Sequence, residues 1–148
     1  MISTDQLGRL RHELEPIYDS LPKDCGFPSW RSPNCREWSR LALPLARAVL
    51  GSNIQRVAYS HDYALELQEE YGLPEGYHAY LADPSSRDPL IICGTYLQFA
   101  LPGSTADDHI LISPASEAPT LLRDAKVNEG TWAYYRPDLY FGSAIRPA

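Results

Sequence analysis

The chain lacks most of what would place it in a specialised class. Its three cysteines are odd in number, too few for a disulfide scaffold and without zinc-like spacing. Methionine occurs once. Basic residues are outnumbered, 13 Lys and Arg against 19 Asp and Glu, and the resulting charge of −6 would repel a nucleic-acid backbone. The sequence holds no local basic patch to offset this, so no nucleic-acid partner is expected. No apolar run approaches the roughly 18 residues a membrane span needs. The first residues, MISTDQLGRLRHELEP, carry charges where a signal peptide has its apolar centre. The expectation is a cytoplasmic protein, with a translocated effector as the alternative.

What is present is proline and tyrosine, 13 and 10 of the 148 residues. Hydrophobic residues make up 44% and charged ones 22%, near the globular average. This composition suits one loop-rich α+β domain over residues 1–148 better than a helical bundle or coiled coil. Ser3 or Thr4 can cap a first helix in which Leu7, Leu10, Leu14, Ile17 and Leu21 recur every three or four residues, with Pro16 bending or ending it. Residues 22–33 read as an ordered loop with Phe27 and Trp30 turned inward. A second helix is predicted from an Asn34 cap to Gly51, its apolar face formed by Trp38, Leu41, Ala42, Leu45, Ala46 and Val49 and its axis kinked at Pro44. Strands are expected over 54–60, 77–82, 90–93, 109–112 and 131–135, with the second and third forming an antiparallel hairpin. Short helices are expected over 62–71 and 119–127, and an irregular tail follows residue 135. Helices precede the sheet, so the fold expected is α+β, with N-terminal helices packed on an antiparallel sheet.

The three thiols are the chemical question. Cys35 falls at the first position of the second helix, where unpaired N–H groups and the helix dipole favour a thiolate and could stabilise an oxyanion. The plainer reading is a small buried cysteine beside a cap. His78, on the first hairpin strand, could take the Cys35 proton as a neutral imidazole; as a lone histidine it could equally be a core residue. His61 and His109 are alternative bases, while His12 lies on a charged helix face. Tyr96, Leu97 and Phe99 read as core rather than substrate contacts, and Gln98 as a surface or structural amide, with an amide near the site as the alternative. Trp30 and Trp38 read as core or as an aromatic rim beside the nucleophile, and Glu66, Glu69 and Glu70 as a solvated face. Asp107, Asp108 and His109 are adjacent and cannot all face one ion without a special loop, so no metal is expected. Cys25 reads as a loop or packing cysteine.

Asn34-Cys35 at a helix start, then GYHAYL over 76–81, then IICGTYLQF over 91–99 resembles the transglutaminase-like and papain-like cysteine hydrolase superfamily. In that group a Cys begins a helix, a His begins a strand, and an Asp follows about fifteen positions later in a D-P/G-T-Y-x-Q-F setting. The resemblance covers residues 34–99 and implies a papain-like or transglutaminase-like core. It also implies a Cys-His thioester mechanism without cofactor or metal, acting on a peptide, a protein side-chain amide or a small acyl substrate. Protease, glutamine deamidase and acyltransferase would all use the same residues.

One position departs from the pattern, because the Asp is replaced by Cys93. A thiol is a poor acceptor for an imidazole N–H. Cys93 therefore reads as a sign of lost activity, as a natural or engineered substitute for the acid, or as the reactive sulfur itself, with Cys35 assisting it or joined to it in a disulfide. Asp83, Asp88 and Asp107 are the candidates to supply the missing carboxylate. The alternative to an enzyme is a binding module on the same scaffold.

Overall fold

Ser3 starts helix α1 (Thr4–Ser20) with a reciprocal cap: its hydroxyl accepts from the Gln6 N–H, and the Gln6 side chain accepts from the Ser3 N–H. The structure, a computed structural model, describes residues 2–23, 32–59, 78–104, 106 and 108–137. Pro16 lies within α1 and does not end it; the helix continues one turn further. Helix α2 (Cys35–Leu50) begins at the Asn34 cap and runs through Pro44, whose ring is on the exposed side. Gly51 closes it at φ 107°, a conformation in which glycine carries no Cβ strain. Trp38, Ala42 and Ala46 are buried as the spacing predicts, whereas Leu41 turns outward at 37% exposure.

Four strands follow, β1 (Gln55–Tyr59), β2 (His78–Ala82), β3 (Leu90–Cys93) and β4 (Leu111–Pro114). They form an antiparallel sheet in the order β1-β2-β3-β4, so each strand pairs with the next in sequence. The expected strand over 109–112 begins two residues later, and Asp108 Oδ1 accepts the Ile110 N–H at 3.2 Å, a local bond that competes with the sheet ladder. Helix α3 (Ala118–Asp124) is shorter than the expected 119–127 stretch. Residues 131–135, expected as a strand, belong to a 3-10 helix over Glu129–Tyr135. Asn128 begins it by accepting the Gly130 N–H at 3.1 Å, a local cap that competes with extension. A further 3-10 helix spans Tyr96–Phe99. Calls on Phe27, Trp30, the helix over 62–71 and the tail from 138 fall outside the described residues.

The sheet separates two apolar layers. On one face, Leu81 and Ile92 pack with Leu10 and Leu14 of α1 and with Trp38, Ala42 and Ala46 of α2. On the other, Tyr80, Ile91, Cys93 and Leu111 pack with Leu122 of α3 and with Leu97, Tyr134 and Tyr135 of the 3-10 helices. Each fully buried Leu contributes about 2–3 kcal/mol through water exclusion, so both layers stabilise the sheet. The fold is α+β. Among the described residues no helix is long and apolar enough to cross a membrane.

Candidate active site

His78 begins β2 and Cys93 ends β3, so the antiparallel register brings them to one end of the sheet. Leu81 pairs with Ile92, and one step further that register sets Tyr80 opposite Cys93. Side chains alternate along a strand, so His78, Tyr80 and Cys93 share a face. Cys93 Sγ lies 3.7 Å from His78 Nε2. The sequence pairing of these two positions is therefore a spatial pairing.

Both groups are shut away from water. His78 is 0% exposed and its ring lies among four aromatics, with centroid distances of 5.7 Å to Tyr80, 5.0 Å to Phe99, 5.3 Å to Tyr134 and 5.4 Å to Tyr135. Burial penalises the imidazolium and lowers the His78 pKa to about 3. Burial likewise raises the Cys93 thiol to about 11, partly opposed by hydrogen bonds with Tyr135 and Thr95. At neutral pH the two form an uncharged imidazole–thiol pair, not an ion pair.

Two hydroxyls complete the surroundings of the Cys93 sulfur: Tyr135 Oη at 3.4 Å and Thr95 Oγ1 at 3.7 Å. Three groups able to donate, the imidazole and these hydroxyls, thus converge on one atom. That donor set suits an anion better than a neutral thiol. The Tyr135 pKa is raised well above the ordinary phenol value, mainly by burial, so it remains a donor.

Cys35 approaches from the other layer. It is the first residue of α2 and only 6% exposed. Its lead-in is pinned to the end of β3 by Ser32, whose hydroxyl donates to the Thr95 carbonyl at 3.2 Å. A charge on Cys35 raises the pKa of both Cys93 and Tyr135, so the two sulfurs occupy one electrostatic neighbourhood. Both are thiols rather than a disulfide. Two of the expected oxyanion donors at this helix start are taken by the cap. Asn34 Oδ1 already accepts from Arg36 N at 2.9 Å and Glu37 N at 3.2 Å. Those two N–H groups serve the cap and are not open to a substrate oxygen.

Trp38, one turn into α2, fixes the residue after Cys93. Its indole packs so tightly on Gly94 that a Cβ there would lie 2.0 Å from Cε2. Trp38 is wholly buried, a core rather than a rim residue, and among the described residues its indole N–H has no hydrogen-bond partner.

Other candidates fall elsewhere. His109 stacks on Tyr18 at 4.3 Å and lies 3.4 Å from Glu15, so it belongs to the α1 surface and is not the base. Asp83 and Asp88 do not supply the missing carboxylate. They sit in the β2–β3 turn and accept from Ser85 and from Ser116, respectively. That turn begins five residues along the chain from His78, roughly 17 Å. It borders a cavity of about 370 Å³ that also reaches Ile2, Leu50 and Pro114. His12 is exposed, as expected. Cys25, Trp30, His61, Glu66, Glu69, Glu70 and Asp107 lie outside the described residues. Among the described residues no three His, Cys, Asp or Glu side chains are grouped to hold a metal.

Of three further site residues, the sequence had weighed one and missed two. Gln98, read there as a surface or structural amide, is half-buried and places Nε2 3.3 Å from His78 Nδ1. Thr95 was visible only as part of the TYLQF segment. Tyr135 had no signal at all, since it meets Cys93 across 42 residues of chain. No protein-family model, curated protein or solved structure matches this chain.

Proposed function

We propose that the chain is a thiol-dependent hydrolase or acyltransferase built on a papain-like or transglutaminase-like core. Cys35 is the nucleophile, His78 the base, and Cys93 occupies the seat of the orienting acid. The observation that carries this is the 3.7 Å contact between His78 Nε2 and Cys93 Sγ, with two hydroxyls directed at the same sulfur. It matches the His–acid half of a Cys-His-acid site, with a thiol in the seat of the acid.

In this mechanism neutral His78 takes the Cys35 proton as the sulfur attacks an acyl carbon. The amide or ester bond breaks, and the imidazolium returns its proton to the leaving group. Water or an amine then attacks the thioester and regenerates the thiol. Cys93 orients the imidazole but stabilises its charged form poorly, so slow turnover is expected. The substrate class is a peptide, a protein side-chain amide or a small acyl compound.

A second reading has its own support. An imidazole held near pKa 3 inside four aromatic rings is a weak base, as in a binding module that has lost its chemistry. An activated ester separates the two. With p-nitrophenyl acetate, the enzyme reading expects a burst of nitrophenol and an acetyl group mapped to Cys35 by mass spectrometry, absent in Cys35→Ser. A protein acetylated only at lysines, with no burst, supports the binding module.

A further inference from the structure

Both nitrogens of the His78 imidazole are engaged. Nε2 faces Cys93 Sγ at 3.7 Å, and Nδ1 faces Gln98 Nε2 at 3.3 Å. The same Gln98 nitrogen donates to Thr95 Oγ1 at 3.2 Å. A carboxamide nitrogen has two hydrogens and accepts nothing, so both are used here. Directions along the two branches then follow. Nδ1 must be the accepting nitrogen, which leaves the ring proton on Nε2, pointing at Cys93. Thr95 Oγ1 accepts from Gln98, which leaves its own hydrogen to turn toward the same sulfur at 3.7 Å.

We infer that Gln98 is a positioning residue that holds His78 as the Nε2–H tautomer and caps Nδ1, the nitrogen left to receive the Cys35 proton. The inference rests on the reading of Cys35 and His78 as a working pair. Its consequence is a resting site that is closed. The imidazole cannot act as a base until the Gln98 carboxamide turns away. The residue is suited to this, because it is half-buried while His78 and Cys93 are wholly buried. It sits in a short 3-10 helix, Tyr96–Phe99, anchored by the Gln98 N–H on the Thr95 carbonyl at 3.1 Å. The backbone is thus held while the side chain is only half-buried. A substrate carbonyl that took over the amide hydrogens would release Nδ1 and open the pair on binding.

The tautomer is read by nitrogen NMR on histidine-labelled protein, which needs no substrate and no reactive thiol. The wild type should show His78 protonated at Nε2. Gln98→Glu, whose carboxylate can only accept, should move that proton to Nδ1, and Gln98→Ala should give a mixture. Folding of each variant is checked by its thermal transition. A wild type protonated at Nδ1, or a folded Gln98→Glu still protonated at Nε2, would overturn the inference. Iodoacetamide labelling of Cys35 at pH 7 then tests the capping. Uncapping in Gln98→Ala should raise the rate by about threefold, as expected for a one-unit fall in thiol pKa offset by lower nucleophilicity. An unchanged rate beside the expected tautomers would leave Gln98 as the positioning residue of His78 and overturn the cap and the Cys35–His78 pair.

Discussion

Replacing Cys93 by Asp puts a carboxylate where His78 Nε2, Tyr135 Oη and Thr95 Oγ1 already converge, at 3.7, 3.4 and 3.7 Å from the sulfur. Two effects then work against the burial that holds His78 near pKa 3. A negative charge at this range favours the imidazolium, and it accepts the Nε2–H far better than a thiol does. Such a neighbour raises a pKa by about 1–3 units, which takes His78 to roughly 4–6. Each unit is about 1.4 kcal/mol in favour of the charged ring. If one or two of those units pass to the Cys35 thiolate, its population at pH 6 rises about 10- to 100-fold. The lower basicity of the thiolate removes a little under half of that on a logarithmic scale, leaving a gain of about 3- to 10-fold in alkylation rate. The assay is iodoacetamide labelling at pH 6 with the adduct mapped to Cys35, alongside an NMR titration of His78. Cys93→Asn, of similar shape but uncharged, should leave the rate unchanged. A folded Cys93→Asp with an unmoved His78 pKa and an unchanged Cys35 rate would refute the reasoning. Loss of the folded state would count equally against a donor set suited to an anion.

Tyr135→Phe removes one donor from that set. It should cost about 1 kcal/mol in the wild-type background and about twice that beside Cys93→Asp, measured as a coupling in a double-mutant cycle by urea unfolding. Gly94→Ala drives a methyl group to 2.0 Å from the Trp38 indole. The overpacking should destabilise the fold by about 3 kcal/mol in the same assay, with little effect if the indole can move aside. Acid should weaken the protein through His78. The unfolded chain takes up that proton below about pH 6.5, the folded chain only near pH 3. Stability from this group is whole above pH 6.5 and falls by about 1.4 kcal/mol per unit below it, toward roughly 5 kcal/mol in all. Urea unfolding between pH 7 and 4.5 should show that slope, and His78→Asn should lose it.

The helices were legible because their signals are local. The Ser3 cap, the Asn34 cap and the apolar spacing from Leu10 to Ala46 each act within a turn or two, and the structure agrees with them. The hairpin that carries His78 and Cys93 was legible for the same reason. The 131–135 segment was misread because WAYY has strand composition, while the Asn128 cap and burial against Cys93 and Tyr80 decide the outcome. Composition cannot report a contact made across the fold. The site divides in the same way. Its two facing residues share a hairpin and were found, whereas Tyr135 reaches Cys93 only through tertiary packing. Gln98 was seen but undervalued, since a lone amide has no spacing signal. What distinguishes it is that its nitrogen serves His78 and Thr95 together. At the α2 start, Asn34 Oδ1 takes two of the N–H groups that the sequence had left open, those of Arg36 and Glu37.

The central claim is that Cys35 and His78 act as a pair. The most direct measurement is the pH profile of Cys35 alkylation by iodoacetamide, mapped by mass spectrometry, in the wild type and in His78→Asn. With the pair intact, the wild-type profile should lie at lower pH than that of the variant, with Cys93 unlabelled in both because it is buried and held near pKa 11. Superimposable Cys35 profiles, or labelling at Cys93 in place of Cys35, would contradict it.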